Sequence, residues 1–520
     1  MNFLKNFFAK FKVKNKSALR HGSYSVAIIA VVVAGVIVLN VLMGILSERG
    51  VLSFDITSSK VNTMDEENIE FIKSIDKEVT ITVLSAEDAY IGGSMNEYAS
   101  NYMNVIDDSE YFAQTVNILK QYPQINDKIK VVFENFYSNK TESLATEYPN
   151  LFYGDILVEC GEESRLVTFD DIYSYSDDTG YADMGYGYYY VDGNNVETAV
   201  SSAINTLTSG ETKKMALIAS HSNSAVFTSL YSKTLALNGF ELSEIKEAIV
   251  QTIPEGTDVL VIAAPTTDLL ASEVTVINEW LDNGGKKGKS LIFVPGATMA
   301  NLPVLKQFLA EWGIKYSSGL LYQTDKNYYY NTPTTMPMFI SDSDITKEIA
   351  PKTGNFSLLG SNLVLEPAYE EYASRKTYII ASTNDTVTIA PEGASEDWTP
   401  SSSAEKKIYA GLVVTEETEI VDNAPHTSYV AAFSSQEFIY STWASTDNVQ
   451  NMDIAVNTAM FVSGMNTNKK VFVPKTITTE SFAAELTEAE VLTVNIIFMA
   501  IIPLVITVLG VVVWVRRKRR

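Results

Sequence analysis

The chain has 520 residues, which as a prior means about three domains, with an ordinary hydrophobic share of 46% and a formal net charge of −24. A surface of that sign repels phosphate backbones, so nucleic acid is excluded as a partner. Cys160 is the only cysteine, which excludes an intramolecular disulfide and any zinc site built on cysteine.

The two ends are the least ordinary parts. Residues 1–23 form a basic tail carrying Lys5, Lys10, Lys12, Lys14, Lys16 and Arg20, and residues 24–46 (Tyr24 to Leu46) contain no charge. A helix of about 20 such residues crosses a hydrocarbon core. No small-x-small cleavage site follows, so the stretch reads as an anchor and not as a cleaved signal peptide. Residues 491–515 are a second charge-free span whose Pro503 a membrane helix tolerates, and residues 516–520 are all basic.

By the positive-inside rule both termini are cytoplasmic, the two spans lie in the lipid bilayer of the cell membrane, and residues 47–490 are extracytoplasmic. All 63 Asp+Glu fall in that outer part, against 28 of the 39 Lys+Arg, a balance of −35. Such a surface favours cations, basic partners or neutral polymers. A large exported domain without disulfides suits a bacterial envelope.

Residues 47–193 read as an N-terminal α/β domain. Thr63 with Glu66 has capping-box spacing, and Ile69, Ile72 and Ile75 recur on one helical face. Val79, Ile81 and Val83 then alternate with Thr80 and Thr82 as in a half-buried strand. A helix from Tyr111 to Tyr122, closed by Pro123, leads to a strand from Lys128 to Asn135. Asp155 to Cys160 and Arg165 to Phe169 form a hairpin around Gly161. This is a thioredoxin-like order, although without a C-x-x-C pair it can do no dithiol chemistry. Tyr173 to Asn195 is rich in Tyr, Gly and Asp with no period and reads as an exposed loop at a domain boundary. Tyr186, Tyr188 and Tyr189 in it are candidates for stacking on an envelope polysaccharide or gripping a partner. Asp177-Asp178-Thr179-Gly180 lacks the ligand spacing of a calcium loop.

Residues 194–475 read as the main domain, a doubly wound and mostly parallel sheet with helices on both faces. Val196 to Leu207 is a connecting helix, Lys214 to Ser220 a buried strand, Val226 to Asn238 a helix stopped by Gly239, and Phe240 to Ile245 a strand. The organising unit is Glu255 to Gly296. Asp258 to Ala264 is a continuous apolar strand ended by Pro265. Ser272 offers an N-cap hydroxyl, Glu273 sits where the helix dipole favours an acid, and Val274, Ile277, Trp280 and Leu281 share one face. Ser290 to Val294 returns as a buried strand, giving a right-handed βαβ crossover. Asn301 to Trp312 is a further helix, a β-rich insertion occupies about 322–428, Tyr429 to Phe433 resumes the buried-strand style, and Met452 to Val462 closes the domain. Residues 476–490 are an acidic stalk.

The stretch NGGKKGKS imitates the phosphate-binding pattern G-x-x-x-x-G-K-[ST], but Asn283 stands where its first Gly belongs. The context is also reversed, since a P-loop follows a strand and opens a helix. It reads as a Gly-rich helix stop and a basic turn, and no cofactor is expected. Ligands of an open parallel sheet bind beyond the carboxyl ends of its strands, which singles out Ser220-His221-Ser222-Asn223, Pro265-Thr266-Thr267-Asp268 and Pro295-Gly296-Ala297-Thr298. His221 is a candidate base or ligand contact with Asp268 as its orienting carboxylate, and Asn223 a candidate contact beside it. The turn at Gly296 carries Ala297 where an amidotransferase-type fold needs Cys and a hydrolase Ser. The expectation is therefore no catalytic and no metal site, and not an enzyme; pairing His221 with His426 at a metal is disfavoured.

Four stretches carry a family resemblance: Phe54 to Ile75, Val196 to Asn223, Glu255 to Gly296 and Tyr429 to Val462. Together with the anchor, ectodomain, anchor layout they resemble GldG-type auxiliary components of bacterial ABC transport systems, which share a domain with some intraflagellar transport proteins. The family usually shows a G-H-G-E-like turn where this chain has Ser220-His221-Ser222-Asn223, so only the His matches. The resemblance implies an extracytoplasmic accessory subunit working with an ABC permease and a separate ATPase, in gliding-type motility or export of an envelope component. The alternatives are a passive glycan- or peptidoglycan-binding envelope protein and a membrane-anchored hydrolase relying on His221.

Overall fold

The computed structural model describes residues 62–473 apart from 109, 178–179, 181, 183, 186, 229, 298–300, 342–343, 350–356, 396, 441–448 and 468–470. The two apolar spans, the basic tails and the stalk lie outside the described residues, among which no helix is long and apolar enough to cross a membrane. Asp65–Thr479 is one of two compact units and the one described below.

Its N-terminal layer is a four-stranded sheet. Val79–Val83 is central, parallel to Ile129–Phe133 on one side and antiparallel to Ile156–Cys160 on the other, with Glu163–Val167 completing the hairpin. The β-branched side chains of Val79, Ile81 and Val83 are all buried, each adding about 1.5–3 kcal/mol when removed from water. Gly161 turns the hairpin with φ 66°.

Three local expectations need correction. The first helix runs Glu66–Ser74 and is capped by Asp65, whose carboxylate accepts the Glu67 N–H, and not by Thr63. Pro123 does not close a long helix. Tyr111–Leu119 ends first, and Pro123 sits in the opening turn of a separate helix, Tyr122–Ile125, where its missing N–H is harmless. The stretch read as a loop supplies two antiparallel strands, Tyr173–Ser176 and Tyr189–Asn194, and the latter also pairs in parallel with Val105–Ile106. Tyrosines favour strands for the same bulk that makes them look like loop ornaments in a Gly-rich sequence.

The helix Val196–Ser209 joins this layer to the main sheet. Asn68 donates to Glu197 Oε1 at 3.0 Å and to Ser201 Oγ at 2.9 Å, and the Tyr122 hydroxyl meets Ser201 Oγ at 2.7 Å. Its apolar residues Val200, Ala203 and Ile204 are fully buried.

The main sheet has thirteen strands. Five are parallel and lie in the order Phe240–Ile245, Lys213–Ile218, Val259–Ala263, Ser290–Val294, Ala424–Phe433. Numbered along the chain that order is 2-1-3-4-5, so the connections reverse between Lys213–Ile218 and Val259–Ala263. The double winding is visible in the side chains. Val259, Val261 and Ala263 face one core with the helices Leu230–Leu237 and Asn451–Val462, whereas Leu260 and Ile262 face another with Ala271–Asp282 and Pro303–Glu311. The segment expected as the single helix Val226 to Asn238 is two helices, Ser224–Phe227 and Leu230–Leu237.

The β-rich region continues the same sheet, so the parallel strands form one part of a mixed sheet. Ala410–Val421 pairs antiparallel with Ala424–Phe433 from Leu412 to Val421, and Arg375–Ser382, Met336–Ile340 and Ser357–Leu359 follow. Ile314–Gln323 pairs with Leu363–Pro367 and Val387–Ala390, and Leu363–Pro367 joins this branch to the sheet at Ala410. The long hairpin turns on Asp422 and Asn423, with φ 52° and 65°, the left-handed pair that a two-residue turn requires.

Candidate functional site

At the point where the connections reverse, the chain leaves Lys213–Ile218 through a short turn, Ala219–His221, while Val259–Ala263 runs out into Pro265 to Leu270. His221 is buried between them, 5% exposed. Its Nε2 lies 2.9 Å from Glu273 Oε1 and its Nδ1 3.2 Å from the Thr267 carbonyl oxygen. The expected partner, Asp268, is not the one used. Its carboxylate accepts the Val304 and Leu305 N–H groups at 2.9 and 3.0 Å and so caps the helix Pro303–Glu311. Capping wins because a helix start leaves N–H groups that need an acceptor, and Asp268 is within reach of them.

Glu273 is fully buried and holds several elements at once. Oε1 accepts the Val250 N–H at 2.8 Å as well as His221, and Oε2 accepts the Leu270 N–H at 2.7 Å. The helix therefore begins at Ala271 with Leu270 as its N-cap residue, and the Ser272 hydroxyl is not the cap. Burial alone would raise the Glu273 carboxyl, but the bonds from Leu270, Val250 and His221 outweigh it and hold it below the ordinary glutamate range.

Both partners of the His221 ring are acceptors, a carbonyl and an ionised carboxylate. Both ring nitrogens are thereby engaged inside the fold. A general base or a metal ligand needs a ring nitrogen free to face it, and both are occupied here. Asn223 is likewise engaged: its side-chain oxygen accepts the Ala225 N–H, and its backbone N–H donates to the Ala263 carbonyl. Ser222 Oγ accepts the Ala263 N–H at 3.1 Å. The Ser220 hydroxyl is buried without a hydrogen-bond partner among the described residues, as are a few polar atoms elsewhere in the fold, Ser357 Oγ among them.

The tyrosine candidates belong to a different sheet. Tyr189 sits in a strand with its ring edge-on to Tyr175 at 6.0 Å, Tyr188 is exposed beside it, and Tyr186 lies outside the described residues. His426 is on the exposed part of the long hairpin, opposite Glu419. At the opposite, amino end of the parallel strands, just before Ser290–Val294, the P-loop-like turn is filled by its own lysine. Lys287 is 7% exposed, its Nζ 2.8 Å from Asp282 and 3.5 Å from Glu417.

Sequence reasoning missed Glu273 as the partner of His221, because 52 residues separate the two. The signal available was an acid in the first helical turn directly after the reversal point. The arrangement as a whole is a mixed α/β scaffold whose most prominent polar groups are committed to holding its loops. No protein-family model matches the chain, and no curated protein matches it either. Among solved structures, the mmIFT52 N-terminal domain is similar at 12% identity, covering 49% of this chain and 97% of that one, with a TM-score of 0.35.

Proposed function

We propose that this chain is a membrane-anchored, extracytoplasmic accessory subunit of an ABC transport system, with a binding and transmission role and no catalysis of its own. The observation that carries this reading is the sequence layout: two charge-free spans with basic outer flanks enclose a large acidic ectodomain. The GldG-type resemblance supplies the partners, a permease and a separate ATPase. The site geometry supports the non-catalytic part, since both nitrogens of the His221 ring and both carboxylate oxygens of Asp268 are engaged in internal bonds. A subunit that passes movement between a bilayer and an outer ligand gains from loops pinned in this way.

The test is extraction in a mild detergent followed by affinity purification of the full chain. Co-purification of a permease and an ATPase is expected, and a chain that emerges alone, with no such genes beside its own, would sink the proposal. A passive polysaccharide-binding envelope protein is the second reading, favoured by the exposed rings of Tyr188 and Tyr190. It predicts that unrelated membrane spans can replace the native ones without loss of function.

A further inference from the structure

A cleft of about 310 Å³ opens between the N-terminal layer and the Phe240–Ile245 end of the main sheet. It is lined by Arg165 from the hairpin, Asp170 and Asp171 from the short helix Phe169–Ile172, Thr198 from the joining helix, and Lys233 and Leu237 from Leu230–Leu237. Junctions of this kind are where small ligands lodge, and the volume matches one or two sugar rings.

The charges in it are unevenly satisfied. Arg165 donates to Thr206 Oγ1 at 3.2 Å and to the Ala236 carbonyl at 2.8 Å, both neutral. Among the described residues no carboxylate pairs with Arg165 or with Lys233 within 4.0 Å. In an outer region holding 63 acids and 28 bases, two unpaired cations lining one cleft are unexpected. The acids of the cleft are occupied elsewhere: Asp170 Oδ1 accepts the Tyr175 hydroxyl, and Asp171 Oδ2 the Thr168 N–H and hydroxyl. Burial lowers the Arg165 guanidinium, with Asp171 and Glu241 acting against that from longer range, so it is charged and incompletely compensated.

The geometry points to this cleft as a binding site for a sugar acid, a monocarboxylate on a hydroxylated ring. Arg165 and Lys233 hold the carboxylate, the guanidinium with its remaining N–H groups. The second oxygens of Asp170 and Asp171 and the Thr198 hydroxyl meet ring hydroxyls, and Leu237 takes the apolar ring face. A phosphate, with up to two charges, would sit close to both aspartates and is disfavoured. The assignment stands without the transport reading, because it concerns a ligand of the chain itself.

The test is calorimetric titration of the full-length protein in detergent with glucuronate, glucose and glucose 6-phosphate. Glucuronate binds, and the other two bind about tenfold or more weakly. Lys233→Gln, at an exposed helical position, lowers glucuronate affinity about tenfold with an unchanged melting temperature. Arg165→Gln lowers it further, with the melting temperature reporting any loss of the Thr206 and Ala236 bonds. Absence of glucuronate binding, equal binding of glucose or glucose 6-phosphate, or full affinity in Lys233→Gln each overturns the assignment.

Discussion

His221 Nε2 and Glu273 Oε1 meet at 2.9 Å beneath the reversal point of the parallel strands, and the same carboxylate takes the backbone N–H groups of Val250 and Leu270. One acid thereby fastens the turn after the first strand, the loop before the third and the start of the following helix.

Removing that acid strands an imidazole and two backbone donors in the interior. Glu273→Ala is expected to cost about 3 kcal/mol and Glu273→Gln about half as much, read by chemical denaturation. The folded carboxyl titrates below an unfolded glutamate, so its contribution is fully present above about pH 4.3 and is lost as pH falls through the folded value. The gap between wild type and Glu273→Gln should therefore narrow in acid. A gap that widens there would contradict the geometry.

Asp155 works in the opposite sense. It is buried beneath the hairpin, accepting the Phe152 and Phe169 N–H groups at 2.7 and 2.8 Å. Burial pushes it up to about 7, those two bonds lower it, and the charges of Asp171 and Asp170 raise it again. An unfolded aspartate titrates at about 3.9. The folded chain holds the extra proton between these values, so this contribution is greatest below about pH 4 and disappears as pH rises through about 7. Asp155→Asn should gain on wild type in melting temperature across that interval, and a constant difference would refute the assignment.

The basic turn is structural. Lys287→Ala should destabilise by about 2 kcal/mol, because Asp282 and Glu417 lose a buried cation, although Arg375 still reaches Glu417 at 3.3 Å. Wild type should show no change in melting temperature with magnesium and ATP. A saturable upward shift abolished by Lys287→Ala would restore a nucleotide site.

Gly319 has φ 103°, and a β-carbon there would lie 2.5 Å from the Ala390 carbonyl oxygen and 2.6 Å from Ile389. Gly319→Ala should cost about 2 to 3 kcal/mol, since both the backbone angle and the facing strand resist it. A melting temperature equal to wild type would mean that Ile314–Gln323 can shift its register.

The buried parallel core was the most legible part of the chain. Val259–Ala263 and Ser290–Val294 stand where their unbroken apolar runs put them, because a strand covered on both faces leaves no other solution. Helix starts were less legible. Thr63 and Ser272 have the right chemistry for caps, but Asp65 and the pairing of Leu270 with Glu273 were better placed, and that choice depends on where the preceding loop enters. The partner of His221 was hidden for a different reason: Asp268 and Glu273 are both acids a few residues past the strand, and only the fold decides which faces the ring. The Tyr-rich hairpin was masked by its glycines.

The Lys289 backbone N–H donates to Ser428 Oγ across 139 positions of chain, and the parallel pairing of Ser290–Val294 with Ala424–Phe433 begins at the next residues, Ser290 and Tyr429. During synthesis the first of these strands emerges long before the second. For all of that interval it presents a bare hydrogen-bonding edge that is apolar from Leu291 to Val294, the kind of edge that recruits strands from other chains. Production of this protein should be limited by how long that edge waits, which makes slowed elongation before Ala424, or a deletion of the antiparallel region, more damaging to yield than to the stability of molecules that have already closed.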